Sequence, residues 1–201
     1  MSTARPLADP TYADLEAVPE NMRGEIIGGE LLMSPRPAPK HALAAGGLLS
    51  LVMGPFQYGI GGPGGWWILT EPEVRLRGEC FIPDIAGWRL ETMPELPDAA
   101  TLTIAPDWVC EVLSPSTERL DRGKKLAAYS RHRVSHVWLV NPTSRTIEVL
   151  RRTGDTWTLV HVHDEDVPLA AEPFAAVPLP VQLIWQSPAR VPAGPGVQEG
   201  E

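Results

Sequence analysis

The chain has 201 residues and a net charge of −8, and 43% of its residues are hydrophobic while 21% are charged. This length and composition fit one globular domain, and no internal repeat is visible. No apolar run approaches the roughly 20 residues that a membrane helix needs, and the first residues lack the apolar core of a signal peptide. We therefore expect a cytoplasmic protein with no membrane partner.

The two cysteines are predicted to be free and buried. Cys80 and Cys110 both fall within predicted strands, where a thiol behaves as a small apolar side chain. The sequence contains no CxxC pair and no Cys/His spacing typical of zinc ligands. A structural zinc site is therefore not expected.

Positive charge is concentrated in one segment of an acidic chain. Residues 119–152 hold nine Lys or Arg and two acids, so this segment carries +7 and the remainder carries −15. The net charge of the whole chain argues against indiscriminate nucleic-acid binding. The basic segment can face a phosphate backbone, or it can be a solvated helix face that is paired with acids elsewhere. The sequence leaves both interpretations open.

In chain order, the first half is predicted to form a short helix, a hairpin, a longer helix and a loop. Residues 11–18 begin with a Thr-x-x-Asp capping box and end before a proline. Residues 25–33 form a hairpin that turns at Gly28-Gly29, and residues 41–56 form an Ala- and Leu-rich helix. Residues 58–65 contain five glycines and one proline, which predicts a mobile loop.

The second half is predicted to be rich in strands, with one strand–helix–strand unit near its start. This order predicts an α/β or α+β sandwich with a mixed sheet, formed by a single domain over residues 1–186. The predicted strands are 66–77, 80–90, 106–113, 134–140, 146–151 and 157–162, with a helix at 121–132, a last apolar segment at 177–185 and a disordered tail at 187–201.

Glu111 interrupts the most apolar of these strands. Residues 106–113 read Pro-Asp-Trp-Val-Cys-Glu-Val-Leu and are followed by Ser-Pro-Ser, so turn residues bound an almost continuous apolar run. Such a run is typical of a buried central strand. An ionised carboxylate there is unfavourable by several kcal/mol unless it is protonated, paired with a cation or bound to a metal.

The helix predicted after this strand supplies a lysine. Asp121 is a favourable N-cap residue, and Lys125 and Tyr129 lie one turn apart on the same helix face. A buried glutamate on a strand, followed by a lysine early in the next helix, indicates an active site.

These residues, with further motifs in the same order, resemble the Uma-two family. That family consists of restriction-endonuclease-like proteins within the PD-(D/E)XK nuclease superfamily, and the resemblance covers about residues 11–185. The matching motifs are Glu25-Ile-Ile-Gly-Gly-Glu30-Leu, Pro39-Lys-His41, Pro83-Asp84, Glu111-Val-Leu-Ser-Pro-Ser-Thr117, Asp121-x-x-x-Lys125-x-x-x-Tyr129 and Val134-Ser-His-Val-Trp138-Leu-Val-Asn141-Pro142.

The resemblance implies a fold and a reaction. The fold is a restriction-endonuclease-like mixed β-sheet core flanked by helices, in the order αβββαβ, with an added N-terminal hairpin and C-terminal strands. The reaction is hydrolysis of phosphodiester bonds in DNA, with Asp84 and Glu111 binding Mg²⁺ or Mn²⁺. The superfamily lysine lies two residues after the acid, at a position that is Leu113 here. The resemblance moves this role, assistance at the phosphate, to Lys125.

Each of these residues also has a purely structural interpretation. Asp84 can belong to a Pro-Asp turn, and Glu111 can form a structural ion pair with Lys125. Lys125 can face solvent in the same way as its neighbour Lys124, and Tyr129 can be simple core packing. The sequence alone does not separate these interpretations from the catalytic ones.

Glu25, Glu30 and His41 are second-rank candidates, and Glu30, which follows the Gly-Gly turn, can be a plain surface residue. Glu25 can add a third carboxylate near the metal, whereas His41 directly precedes a predicted helix and can be a cap or a surface residue. The alternative function is a non-catalytic nuclease-fold module that binds or regulates, because the lysine is displaced and the net charge is acidic. A homodimer is expected for a nuclease that cuts both strands of a duplex.

Overall fold

The structure, a computed structural model, describes residues 3–5 and 10–186, with side chains from residue 10 onward. The strands are β1 Thr3–Arg5, β2 Met22–Ile27, β3 Glu30–Pro35, β4 Trp66–Thr70, β5 Val74–Leu76, β6 Glu79–Phe81, β7 Ile85–Arg89, β8 Trp108–Val112, β9 His136–Asn141, β10 Thr146–Thr153 and β11 Thr156–His163. The helices are α1 Tyr12–Glu16, α2 Pro39–Val52, α3 Glu118–Leu120 and α4 Leu126–Arg131, with π-helical turns at Met53–Gln57 and Asp121–Lys125 and a 3-10 turn at Val181–Trp185.

The strands form two sheets. A six-stranded sheet has the order β11-β10-β9-β8-β7-β4, and a five-stranded sheet has the order β1-β3-β2-β6-β5. The larger sheet is mixed, because β8 and β9 are parallel while its other neighbours are antiparallel. The predicted central strand is therefore confirmed: β8 lies inside this sheet and all five of its residues are buried.

The two faces of β8 contribute to two separate hydrophobic clusters. Cys110 and Val112 pack on the face that α2 covers, while Val109 and Leu113 pack on the face that α4 covers. Because side chains alternate along a strand, Glu111 lies on the α4 face. The site described below is built on that face, at the carboxyl end of β8.

The predicted strands 66–77 and 80–90 are each divided in the structure, so their predicted continuity was wrong. The first one breaks at Glu71, which has a φ of 45°, and at Pro72, which has no N–H to donate. The second one breaks between β6 and β7, where Pro83 lies. In both cases the chain leaves one sheet and enters the other. Asp84 lies at the second crossing.

The predicted helix start at Asp121 was also wrong. The helical segment begins three residues earlier, at Glu118, with Thr117 at the N-cap position. Asp121 instead lies in the π-helical turn, where its side chain is buried near Lys125. The capping preference of aspartate did not decide the position of Asp121, because its carboxylate faces the buried ammonium group of Lys125 instead.

The predicted hairpin turn and the predicted state of the two cysteines are confirmed. The hairpin of β2 and β3 turns at Gly28 and Gly29, whose φ values of 61° and 74° favour glycine. Cys80 and Cys110 are buried free thiols. No helix within residues 3–5 and 10–186 is long and apolar enough to cross a membrane. The predicted tail at 187–201 lies outside the described residues, and the single domain over residues 1–186 stays a prediction.

Gly87 on β7 allows two tryptophans to approach the strand. A Cβ atom added there would lie 3.1 Å from Trp108 Cε3 and 3.2 Å from Trp66 Cε3. We expect Gly87→Ala to lower the free energy of unfolding by about 1–3 kcal/mol, because two packed rings must move. The measurement is urea unfolding followed by tryptophan fluorescence.

The matched control for this prediction is Gly46→Ala. Gly46 lies exposed within α2, and a Cβ added there would meet nothing within 4 Å. This substitution should raise the free energy of unfolding by up to about 1 kcal/mol, through helix propensity. Equal effects of the two substitutions would show that Gly87 has no packing role.

Candidate functional site

Asp84 and Glu111 are brought together by the antiparallel pairing of β7 with β8. Ile85 pairs with Cys110, so Asp84, one residue earlier, lies beside the end of β8. The backbone N–H of Val112 donates a hydrogen bond of 2.8 Å to Asp84 Oδ2. Both carboxylates are buried. Asp84 is thus fixed against β8 rather than exposed in a simple turn.

Lys125 points into the site, whereas Lys124 points to solvent. Lys125 Nζ lies 2.8 Å from Glu111 Oε1, 3.4 Å from Glu25 Oε2 and 3.6 Å from Asp121 Oδ1, and its side chain is only 4% exposed. The side chain of Lys124 is 47% exposed and pairs with Glu30 at 2.6 Å. Lys125, rather than a residue at position 113, therefore brings an ammonium group to the carboxylates, and it does so from the helical segment that follows β8.

Tyr129 lies one helical turn beyond Lys125 and contacts the same carboxylate. Its buried hydroxyl donates a hydrogen bond to Glu111 Oε1. Its ring also packs against Phe81, with 5.5 Å between the ring centroids. Tyr129 thus combines core packing with a polar contact that holds Glu111 in place.

Two of the second-rank candidates, Glu25 and His41, also lie in the site, whereas Glu30 pairs with Lys124 at the surface. Glu25 is buried on β2, and its Oε1 accepts a hydrogen bond of 2.9 Å from the backbone N–H of Ile82. His41 lies in the first turn of α2, and its Nε2 is 3.0 Å from Asp84 Oδ2. The cap or surface role considered for His41 is not found, because this side chain is largely buried against Asp84.

Sequence reasoning missed two charged residues of the site. Arg23 on β2 places its NH1 3.2 Å from Asp84 Oδ1. Asp121 lies beside Lys125 and had been predicted as a helix cap. Both had a signal in the sequence: Arg23 is two residues before Glu25 on a strand, and Asp121 is four residues before Lys125 on a helix, so each shares a face with its neighbour.

These side chains line a cavity of about 270 Å³. One wall is formed by the loop that follows β8, where the Ser114 hydroxyl lies 2.9 Å from both the Ser116 and the Thr117 hydroxyls. The lining is mixed, because the charged and hydroxyl side chains are accompanied by prolines and by Ala38, Val112 and Leu120. The charged groups in such a lining can orient a charged ligand.

Negative charge is in excess around Glu111. Burial raises the pKa of Glu111 to about 8, and the nearby carboxylates Asp121, Asp84 and Glu25 act in the same direction, while Lys125 opposes them. Like charges that share a site make ionisation of one member unfavourable. The site therefore has a capacity for additional positive charge next to Glu111.

Asp84 behaves in the opposite way. Burial favours its neutral form, but hydrogen bonding and positive charge at His41, the charge of Lys125 and the Val112 N–H together lower the pKa of Asp84. Asp84 is thus held ionised while its neighbour Glu111 binds a proton readily. Two carboxylates with separated proton affinities are typical of catalytic sites, although structural ion-pair networks also produce them.

The donor chemistry of the site suits a hard divalent cation. Carboxylate oxygens from Asp84, Glu111, Glu25 and Asp121 are the ligand type that Mg²⁺ and Mn²⁺ prefer. Across residues 3–5 and 10–186, however, no three His, Cys, Asp or Glu side chains are grouped so that they could hold an ion by themselves. A cation here would need further ligands from water or substrate, which is usual for magnesium at phosphate-processing sites.

Most of the basic segment 119–152 is paired with acids. Five of its nine Lys and Arg residues form such pairs, and four of these five are exposed, which favours the interpretation as a paired, solvated face. Lys125 is the buried exception. The pairs are Arg122 with Glu118 and Glu148, Lys124 with Glu30, Lys125 with Glu111, Arg131 with Glu79, and Arg151 with Glu172.

Comparison with known proteins identifies similar chains. The sequence model of the Uma2 family, described as "Putative restriction endonuclease", matches residues 9–182. Among solved structures, the chain is similar to "a putative nuclease belonging to DUF820" from Anabaena variabilis. The two are 22% identical, the match covers 88% of this chain and 97% of that chain, and the TM-score is 0.69. No curated protein matches. The predicted fold class is thereby confirmed.

Proposed function

Because this chain belongs to the Uma2 family, we propose that it is a metal-dependent nuclease that hydrolyses phosphodiester bonds, with DNA as its substrate. One observation carries the proposal. Asp84, Glu111 and Lys125 lie up to 41 residues apart in the sequence, yet all three line one cavity, together with the further carboxylates Glu25 and Asp121. This is the set of groups that a cation-assisted attack on a phosphate diester needs.

In this proposal Asp84 and Glu111 hold the cation. When bound, Mg²⁺ or Mn²⁺ polarises the phosphoryl oxygen and lowers the pKa of an attacking water. Asp84 is suited to this role because the Val112 N–H and His41 keep it ionised. Glu111 becomes a stronger ligand once a cation offsets the surrounding carboxylates, since this removes the main cause of its raised pKa besides burial.

Lys125 and Tyr129 act on the phosphate and on Glu111, respectively. Burial opposes the charge of Lys125, but the Glu111 and Glu25 carboxylates raise the pKa of Lys125 well above its usual range. The ammonium group is therefore permanently charged, and it can stabilise the negative charge that develops on the phosphate in the transition state. Tyr129 fixes the orientation of Glu111 through its hydroxyl.

A non-catalytic nuclease-fold module remains the second candidate. The observation that favours it is that the charged groups of the site already satisfy one another. Arg23 and His41 contact both oxygens of Asp84, and Lys125 pairs with Glu111. A network of paired charges of this kind is also what a purely structural role would produce.

A cleavage panel separates the two candidates. Single-stranded, duplex and branched DNA and RNA are incubated with the protein and Mg²⁺, Mn²⁺ or EDTA. We expect at least one DNA substrate to be cut about 10-fold or more faster with a divalent cation than with EDTA. The activity must disappear in Asp84→Asn, which excludes a contaminating nuclease. Absence of metal-dependent cleavage on every substrate would leave the non-catalytic module as the better proposal.

A nuclease that cuts both strands of a duplex can do so as a homodimer, in which two related sites act together. Light scattering with and without duplex DNA measures the molar mass, and we expect the mass of two chains.

A further inference from the structure

Arg23 is a largely buried arginine that reaches the cavity from β2. Its NH1 lies 3.2 Å from Asp84 Oδ1 and 3.4 Å from the carbonyl oxygen of Ile82, while its NH2 pairs with Glu71. The Arg23 side chain is 13% exposed, whereas that of Glu71 is 46% exposed. The guanidinium thus bridges a buried carboxylate that lines the cavity and a half-exposed carboxylate that does not.

We infer that Arg23 is a phosphate-binding residue, which neutralises Asp84 while the site is empty and transfers to a substrate phosphate when a cation binds Asp84. This inference rests on the function proposed above. It assigns Arg23 two partners in succession, one from the protein and one from the nucleic acid.

The contacts of Asp84 explain why Arg23 would be the group that moves. Asp84 Oδ2 accepts the Val112 N–H at 2.8 Å and also contacts His41 Nε2 at 3.0 Å. Asp84 Oδ1 contacts Arg23 at a longer distance of 3.2 Å. A cation that binds Asp84 competes most directly with Arg23, since two positive charges near one carboxylate oxygen repel each other.

The chemistry of arginine explains why phosphate would be the next partner. A guanidinium released from Asp84 keeps its charge, and it presents a planar set of N–H donors that matches phosphate oxygens. A largely buried guanidinium that loses Asp84 keeps only the half-exposed Glu71 as a partner, so a new anion at the vacated N–H donors is favourable. A phosphate diester that enters the cavity supplies that anion beside the cation, so metal binding and substrate binding become mutually supportive.

The inference predicts opposite effects of one substitution on two ligands. Arg23→Met should bind Mn²⁺ about 3-fold or more tightly than the wild-type protein, because a competing positive charge is removed. In the presence of Ca²⁺ it should bind a fluorescent single-stranded DNA octamer about 10-fold more weakly. The dependence of DNA affinity on salt should fall by about 0.7 in its logarithmic slope, as expected for the loss of one phosphate contact. The measurements are titration calorimetry and fluorescence anisotropy.

Two further variants control for charge and for folding. Arg75→Met removes an arginine from the same sheet that also pairs with a glutamate, Glu73, but lies outside the cavity. It should leave both affinities within about 2-fold. Arg23→Lys keeps the charge but loses the planar donors, and it should recover Mn²⁺ affinity to the wild-type value while recovering only part of the DNA affinity. Thermal melts establish that each variant is folded. If Arg23→Met does not fold, the inference is tested with Arg23→Lys alone.

The outcomes distinguish this inference from the function on which it rests. If Arg23→Met binds Mn²⁺ more weakly, or binds DNA as well as the wild-type protein does, then Arg23 is structural and the proposed nuclease is unaffected. If the wild-type protein binds neither Mn²⁺ nor DNA and cuts no substrate, both proposals fail together.

Discussion

Replacing Lys125 with methionine is expected to lower the rate of DNA cleavage by about 10²–10³-fold, which is typical for the loss of one group that stabilises transition-state charge. The ammonium lies 2.8 Å from Glu111 and is almost fully buried, so water cannot replace it effectively. Binding of Mn²⁺ should change little or tighten, because Lys125 is a competing cation rather than a ligand. Single-turnover cleavage and titration calorimetry measure the two effects separately.

The adjacent Lys124 provides the matched control for this experiment. Its side chain is about half exposed and pairs with Glu30 on the surface. Lys124→Met removes the same charge one residue away, and it should leave the cleavage rate within about 3-fold, since exposed ion pairs contribute little. A larger loss in Lys124→Met than in Lys125→Met would mean that the basic segment, rather than the cavity, interacts with the substrate.

Replacing Glu111 with glutamine is expected to change the pH dependence of stability in the metal-free protein. Burial and the neighbouring carboxylates raise the pKa of Glu111 from the ordinary 4.5 to about 8. The folded protein therefore holds this proton more tightly than the unfolded chain does. The tighter proton binding therefore adds to the free energy of unfolding of the wild-type protein. This contribution is complete at pH below about 4.5 and is lost progressively as the pH rises to about 8. Glutamine cannot ionise, so the free energy of unfolding of Glu111→Gln does not fall for this reason.

The measurement is the melting temperature of both proteins from pH 5 to pH 9 in EDTA. Glu111→Gln should be equal to or less stable than wild-type at pH 5, because glutamine replaces a neutral acid that accepts bonds from Lys125 and Tyr129. As the pH rises towards 9, the melting temperature of Glu111→Gln should increase steadily relative to that of the wild-type protein. A difference that is independent of pH, or that moves in favour of the wild-type protein, would contradict the raised pKa and identify a permanently ionised structural pair.

Glu148→Gln is a control of opposite sign. Hydrogen bonds from Arg122 lower the pKa of Glu148, and burial only partly opposes them. The stability that this carboxylate contributes is present above its unfolded pKa and is lost as the pH falls through its lower folded pKa. The wild-type advantage over Glu148→Gln should therefore be present at pH 7 and disappear in acid, the reverse of the pattern expected at Glu111.

Metal addition then tests whether the pH effect belongs to a cation site. Mn²⁺ at pH 8 should raise the melting temperature of the wild-type protein by mass action, and it should raise that of Glu111→Gln much less. The reason is that the cation both binds Glu111 and offsets the charge of the other carboxylates. Equal stabilisation of the two proteins would place any metal binding elsewhere, and the non-catalytic module would then gain support.

The sequence by itself determined the strand and helix that carry the site. An apolar run bounded by turn residues has few alternatives to a buried strand, so β8 and the burial of Glu111 followed from local pattern alone. The spacing of four residues placed Lys125 and Tyr129 on one helix face, and both contact Glu111. The glycines at 28 and 29 determined the hairpin turn, because the turn requires positive φ values.

Only the tertiary structure decided which distant residues meet that strand. Asp84 reaches β8 because the chain crosses from one sheet to the other at Pro83, and a local pattern of apolar residues does not show on which sheet each half pairs. Glu25 reaches the site because β2 pairs with β6, more than 50 residues away in sequence. His41 reaches it because α2 packs on the other face of the larger sheet, against Cys110 and Val112 of β8.

The same limit explains why Asp121 was assigned to a helix end and why Arg23 was not recognised as a site residue. Capping preference predicted Asp121 at a helix end, whereas its contact with the buried Lys125 decided its position. No local pattern singled out Arg23, which lies against Asp84 because of the register of β2. Periodicity and propensity act over a few residues and therefore determine local elements. The pairing of charges in a buried site depends on long-range register, because each buried charge must find its partner only after the sheets have assembled.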